Sequence, residues 1–189
     1  MFLTPFLKRF SFSQKEMENL RSFFFKKGYS KGKSFIEKED SFNKIGFVES
    51  GLFKLVYENS EKEYIKDFCG EGDVIGAYSS LLRQTPPVFR IVSLEDSFVW
   101  EADFLVLEAR FGNQLPFVSL LKSISDNLYL KKEKRESDFI LLSAEQRYLE
   151  FVQTRKSLIH RLKDYEIASY LGITNVAFSR IKSKLFNLG

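Results

Sequence analysis

The 189-residue chain has one cysteine, Cys69, and one histidine, His160. A lone cysteine excludes an internal disulfide framework, a cysteine-rich zinc site and a cysteine-ligated iron–sulfur cluster. A lone histidine excludes a His-rich metal centre within one chain, so neither a metal nor a cofactor is expected. Long apolar runs are lacking too. They stop at about four residues, as in Phe104 to Leu107, against the ~20 that cross a bilayer. The apolar N-terminal stretch is broken by Pro5, and Lys8-Arg9 follow its apolar residues rather than precede them. That order is the reverse of a secretory signal, and with one free thiol it points to a cytoplasmic protein without a membrane partner.

What is present is ordinary in bulk and uneven in distribution. Hydrophobic residues make up 44% and charged ones 29%, as in a globular chain with ample material for a core. The formal net charge of +4 comes from 29 basic and 25 acidic residues. Residues 1–139 hold 21 of each sign and are neutral, whereas residues 140–189 hold eight basic and four acidic residues, none of the acids after Glu166. Of the 21 phenylalanines, 18 precede residue 140. Two parts with different tasks explain this skew; one domain with a basic tail is the alternative.

Local patterns divide the chain further. Ser13 and Glu16 form a capping-box pair ahead of Met17, Leu20, Phe23 and Phe24 at helical spacing, which predicts a short opening helix. From Lys31 to about Phe104 the pattern becomes short β-prone runs: 34–37, 45–49, 52–57, 63–68, 74–78, 88–93 and 98–101. Gly32, Gly46, Gly51, Gly70, Gly72 and Gly76 separate them, with Pro86-Pro87 in a later loop. Strands at this spacing predict an antiparallel barrel or jelly roll, whose interior the phenylalanines would fill. From Pro116 to about Arg135 the spacing turns helical, with Phe117, Leu121, Ile124 and Leu128 on one stripe. That stripe can pack on its own barrel or pair with a second subunit. Ser143 and Gln146 form another capping box, and Leu149 and Val152 supply an inner face.

Residues 164–183 carry the most specific pattern. Ile167, Ala168 and Leu171 share a face, Gly172 stands where a left-handed residue ends a helix, and Thr174 can cap the next one. In that second helix Phe178, Ile181, Leu185 and Leu188 lie within roughly 60° of one another at 100° per residue. The small Ala168 allows close approach, so the segment reads as a helix-turn-helix. The opposite side presents Asn175, Val176, Ser179, Arg180 and Ser183, with Lys182 and Lys184 flanking. Arg pairs with guanine and Asn with adenine through two hydrogen bonds, and Val packs on a thymine methyl. Tyr165, Ser169, Thr174, Lys182 and Lys184 are the candidate phosphate contacts. An αα-hairpin with a solvated basic face is the plainer alternative.

With these residues placed, the chain resembles the cyclic-AMP receptor/fumarate-nitrate regulator (Crp/Fnr) family of bacterial transcription factors. The likeness rests on S-A-E-Q-R-Y-L-E-F (143–151), I-A-S-Y-L-G-I-T (167–174) and S-R-I-K (179–182). In the N-terminal half K-G-K-S-F (31–35), F-V-E-S-G-L-F-K-L-V-Y (47–57) and G-E-G-D-V-I-G (70–76) resemble the family's sensor barrel. The resemblance implies an α+β fold. It has a double-stranded β-helix (jelly-roll) barrel over 1–112, a dimerisation helix over 113–137 bearing the Phe117 stripe, and a helix-turn-helix domain over 138–189. The base-reading positions of the family fall on Asn175, Val176 and Arg180, and many relatives carry an acid where Val176 stands. A different preferred operator is therefore expected. The winged hairpin that many relatives carry beyond the recognition helix is expected to be missing.

The sensor site departs more. Cyclic-nucleotide binders of this family hold ribose with a Gly-Glu pair and phosphate with an Arg. Here those positions read Gly76-Ala77 and Pro87-Val88-Phe89. The candidate effector pocket is Gly76, Ala77, Arg83, Val88, Phe89 and Arg90, and it is expected not to take cAMP, because a buried phosphate needs positive or N–H partners. Any small-molecule effector is therefore one the residues do not name. The expected function is a homodimeric, sequence-specific regulator of double-stranded DNA. The alternative is a ligand-binding module whose C-terminal helices contact protein. No paired nucleophile and base or phosphate-cradling loop suggests an enzyme.

Overall fold

The computed structural model of the protein describes residues 7–60 and 62–186. Pro5 and Leu188, both used above, lie outside the described residues. A 3-10 turn at Lys8–Phe10 precedes α1 (Gln14–Arg21). The Ser13 hydroxyl accepts from the Glu16 N–H while the Glu16 carboxylate accepts from the Ser13 N–H, closing the expected capping box.

Eight strands follow: β1 (Phe25–Tyr29), β2 (Ser34–Ile36), β3 (Lys44–Ser50), β4 (Phe53–Glu58), β5 (Glu63–Cys69), β6 (Val74–Gly76), β7 (Arg90–Ser93) and β8 (Ser97–Asp103). They form two antiparallel four-stranded sheets, ordered β1-β8-β3-β6 and β2-β7-β4-β5. β1 lies ahead of the strand runs predicted from Lys31 onward. It is an edge strand with four exposed positions out of five, so it lacks the alternation that marks a half-buried strand. The run expected at 74–78 ends at Gly76, and α2 (Tyr78–Arg83) starts where it was to continue. The run expected at 88–93 begins only at Arg90. Gly46 lies inside β3 rather than in a turn. A Cβ there would come within 2.5 Å of Val99 and 3.0 Å of the Phe35 ring, so the aromatic interior itself requires a residue without a side chain.

The remaining helices are α3 (Phe104–Phe111), α4 (Leu115–Leu141), α5 (Ala144–Thr154), α6 (Asp164–Leu171) and α7 (Asn175–Phe186). Three cores stack across the two sheets. Phe35, Ile36, Val48, Phe53, Ile91 and Val99 fill the space between them. On the outer side of the first sheet, Phe47 and Ala102 pack with residues of α1, α3 and the start of α4. On the outer side of the second sheet, Ile65 and Phe68 of β5 share a core with Tyr148, Phe151, Ile167, Leu171 and Phe178 from the C-terminal helices. The fold is mixed α+β.

The 27-residue α4 is ~40 Å long at 1.5 Å per residue. Its Phe117 stripe faces its own chain. Phe117 is 2% exposed beside Phe111, with Leu121 and Ile124 packed against the same cluster, and Leu128 is half-buried. The expectation that this stripe forms a subunit seam fails at Phe117, which the chain's own core already covers. The exposed side of α4 instead carries Leu115, Val118, Tyr129, Leu130, Ile140 and Leu141. Both sides of the helix are apolar, so periodicity alone could not tell them apart. No helix among the described residues is long and apolar enough to cross a membrane.

Candidate nucleic-acid interface

α6 ends at Leu171 because Gly172 adopts φ +71° and its N–H turns back to the carbonyls of Ala168 and Ser169. This is the left-handed residue the sequence called for. The start of α6 also has a local cause. The buried Glu166 carboxylate accepts from the Lys163 N–H at 2.8 Å, placing negative charge at a helix N-terminus. The Thr174 hydroxyl then accepts from the Ala177 N–H at 3.2 Å and starts α7. Phe178, 1% exposed, meets the Tyr148 ring edge-on at 5.0 Å between centroids. Ile181 and Leu185 pack beside it. This inner side fixes the rotation of α7, and the outer side follows: Asn175, Val176 (62% exposed), Ser179, Arg180 and Ser183 all face solvent. The five candidate base-reading residues therefore share one open surface.

The candidate phosphate residues divide. Tyr165 is exposed at the start of α6, and Thr174 is engaged as the cap just described. Lys182 holds both carboxylate oxygens of Asp164 at 2.9 Å, and Lys184 reaches Glu145 at 2.7 Å. Ser169 is turned away. Its hydroxyl accepts from the Ile65 N–H at 3.0 Å and donates to the Glu63 carbonyl at 3.4 Å. In this arrangement Ser169 is not a phosphate contact, because α6 is laid on the edge strand β5 and that side of the helix is covered.

The same docking engages several basic residues counted above. Arg155 pairs with Asp67 at 2.9 Å and donates to the Phe68 carbonyl at 3.2 Å. Arg161 makes two parallel bonds to Glu71 at 2.9 Å each and also reaches Glu95. The Arg161 guanidinium holds the Glu71 carboxyl down to about 2. Arg147 donates to the carbonyls of Leu142 and Leu171. Among the described residues, Arg147, Lys156, Lys163 and Arg180 are the cations of this segment that enter no salt bridge, and Arg147 is held by the two carbonyls. These long-range arginine contacts were missed in the sequence, which holds no local signal for pairs 66 to 90 residues apart.

The six candidate effector residues do not converge on a pocket. Ala77 and Phe89 are buried in the core between the sheets, and Gly76 lies in β6. Arg83 and Val88 face solvent. Arg90 is tied to Glu58 at 3.1 Å and Glu63 at 2.7 Å. A small apolar space of about 20 Å³ lies elsewhere, lined by Leu7, Leu20, Phe24 and residues of α4, with room for no more than one water. The sequence also gave no hint of Lys66. Its ammonium sits 3.9 Å over the Phe89 ring and 5.4 Å from Tyr57. Burial, then the nearby Lys132, lowers its pKa to about 8. On the first sheet Tyr29 donates to the buried Glu101, and Lys44 donates to the Tyr29 hydroxyl at 2.9 Å and the Phe35 carbonyl at 2.8 Å. Cys69 is buried, and burial pushes its thiol pKa well up, away from redox reactivity. No group of three or more potential metal ligands occurs among the described residues.

The architecture is two antiparallel sheets followed by a long helix and a C-terminal helical pair with one open face. Residues 26–109 match the family model of the cyclic nucleotide-binding domain. No curated protein sequence matches significantly. Among solved structures, the chain is similar to the c-di-GMP responsive global regulator CLP of Xanthomonas campestris, at 16% identity and TM-score 0.73 over 90% of each chain. It is also similar to a mutant of CooA from Carboxydothermus hydrogenoformans, at 18% identity and TM-score 0.76, over 100% of this chain and 86% of that one. A third likeness is to a protein of Eubacterium rectale described as a transcriptional regulator of the Crp/Fnr family, at 13% identity and TM-score 0.74, covering 94% and 85%. Residues 26–109 are thus similar to the cyclic nucleotide-binding domain, and the chain shares its fold with solved Crp/Fnr family transcriptional regulators.

Proposed function

We propose that the protein is a homodimeric, sequence-specific DNA-binding transcription regulator. The observation that carries this reading is α7. Its inner side is locked by Phe178, while Asn175, Val176, Ser179, Arg180 and Ser183 stand exposed together on the outer side. Those side chains match the hydrogen-bonding and methyl groups of a major groove. Tyr165, Thr174, Lys182 and Lys184 line the flanks that would meet phosphates, the two lysines exchanging Asp164 and Glu145 for phosphate oxygens. Residues 1–112 serve as the sensor barrel, 113–137 as the connecting helix and 138–189 as the reader. The exposed side of α4 at Val118, Tyr129, Leu130 and Ile140 is the surface we assign to the dimer, in place of the Phe117 stripe. The barrel takes no cAMP in this reading, because Phe89 and Ala77 belong to the packed interior and Arg90 is held by carboxylates.

Selection from random duplexes at low salt tests the reading. Enrichment of a two-fold symmetric motif, with half-sites about one helical turn apart, is the expected result. No enriched motif would favour C-terminal helices that contact protein instead.

A further inference from the structure

The reader is built onto its own barrel. Leu52, Ile65 and Phe68 of the sheet domain share one apolar core with Tyr148, Phe151, Leu158, Leu162, Ile167 and Leu171. Leu158 packs so closely that a Cβ on Gly70 would come within 3.3 Å of it. Around that core lie polar contacts from separate parts of the chain. Ser169 bonds the backbone of β5, Arg155 pairs with Asp67, and Arg161 clamps Glu71 and Glu95. From α4, Arg135 donates to the Tyr170 carbonyl at 2.9 Å and lies over the Tyr170 ring. Undocking would expose the apolar faces of both partners, which is costly, and would give up several partly exposed ion pairs, each worth less.

The docked side and the reading side of the reader are different surfaces. Docking uses Ile167, Ala168, Ser169 and Leu171 of α6 and the segment before it, whereas the candidate base contacts project from the outer side of α7. The lysines that would move to phosphate are bonded within the reader, to Asp164 and Glu145, and not to the barrel. Nothing at the candidate interface therefore requires the reader to leave the sheet.

We infer that barrel and reader act as one rigid body and that DNA is read in the docked arrangement, with Arg155 and Arg161 as positioning residues. This inference rests on the DNA-binding reading above. The test joins the two parts covalently in the full chain. Asp67→Cys with Arg155→Cys places two thiols where a salt bridge now stands, and a short bismaleimide links them, while the buried Cys69 stays unreactive. With a duplex chosen by selection, the linked protein should bind within about threefold of the unlinked one, because a state already populated carries no conformational tax. A larger loss on linking overturns the inference. If neither form nor the wild type binds any duplex, the DNA-binding reading itself has failed. A second measurement needs no variant. The Ile65 amide, bonded to Ser169, should keep its hydrogen-exchange protection when wild-type protein binds DNA, and loss of that protection on binding would contradict docking.

Discussion

The interior of the barrel and the outer side of α7 handle polar groups in opposite ways. Inside the barrel, Glu101, Tyr29 and Lys44 satisfy one another and a backbone carbonyl, closed off among Phe35, Phe53 and Val99. On α7, Arg180, Asn175 and Ser179 are left facing solvent, with Arg180 in no salt bridge among the described residues. A network with its partners in place stabilises a fold and has little left for a ligand. A row of unsatisfied donors on a helix held rigidly from behind is suited to recognition. The difference shows that the charged residues of this protein cannot be interpreted by counting; what matters is which of them the fold has already paired.

That contrast can be challenged at several levels. The largest expected effect is at the rigid backing. Phe178→Ala removes a fully buried ring, which should lower stability by about 4 kcal/mol. Because Phe178 shares its core with β5, urea unfolding should remain a single transition monitored in both parts. Two separated transitions would show that barrel and reader are independent. Next comes Lys44→Ala, which leaves the Glu101 carboxylate buried beside Tyr29 without its cation. A loss of about 3 kcal/mol is expected in the same assay. A loss below half of that would mean the network is less closed than its geometry indicates.

A smaller effect concerns pH. Arg161 holds the Glu71 carboxyl down to about 2 from an ordinary 4.5. A group whose folded value is depressed stabilises the protein above its unfolded value and ceases to as pH falls through the folded one. This contribution should therefore be complete above about pH 4.5 and lost progressively toward pH 2. Glu71→Gln should flatten that part of the acid-unfolding profile, and an unchanged profile would remove Arg161 from the docking contacts. The smallest effect belongs to the flank. Lys182→Ala should weaken binding about equally for all duplexes and reduce the salt-dependence slope by about 1. A change confined to one sequence would make Lys182 a base contact.

The features legible in the sequence were local ones. Ser13 with Glu16, Ser143 with Gln146, Gly172 and Thr174 each act through neighbours three to five residues away, and each stands in the structure where its chemistry placed it. Most strands were marked by glycines and β-branched or aromatic runs. β1 escaped because four of its five residues are exposed and lysine-rich. The side of α4 that meets the barrel was not legible, since apolar residues occur on both sides and only packing against α1 and α3 selects Phe117. The docking arginines were invisible for a different reason. Arg161 finds Glu71 90 residues away, and nothing in either local sequence announces the other. The same holds for Ser169, whose hydroxyl suits a phosphate by type but is claimed by an edge strand.

Base reading through the exposed side of α7 is tested by comparing Arg180→Ala with wild type on the selected duplex. A loss of about 1–3 kcal/mol in affinity is expected, together with relaxed preference at one base pair in each half-site. An equal loss on every sequence, with no base pair relaxed, would contradict it.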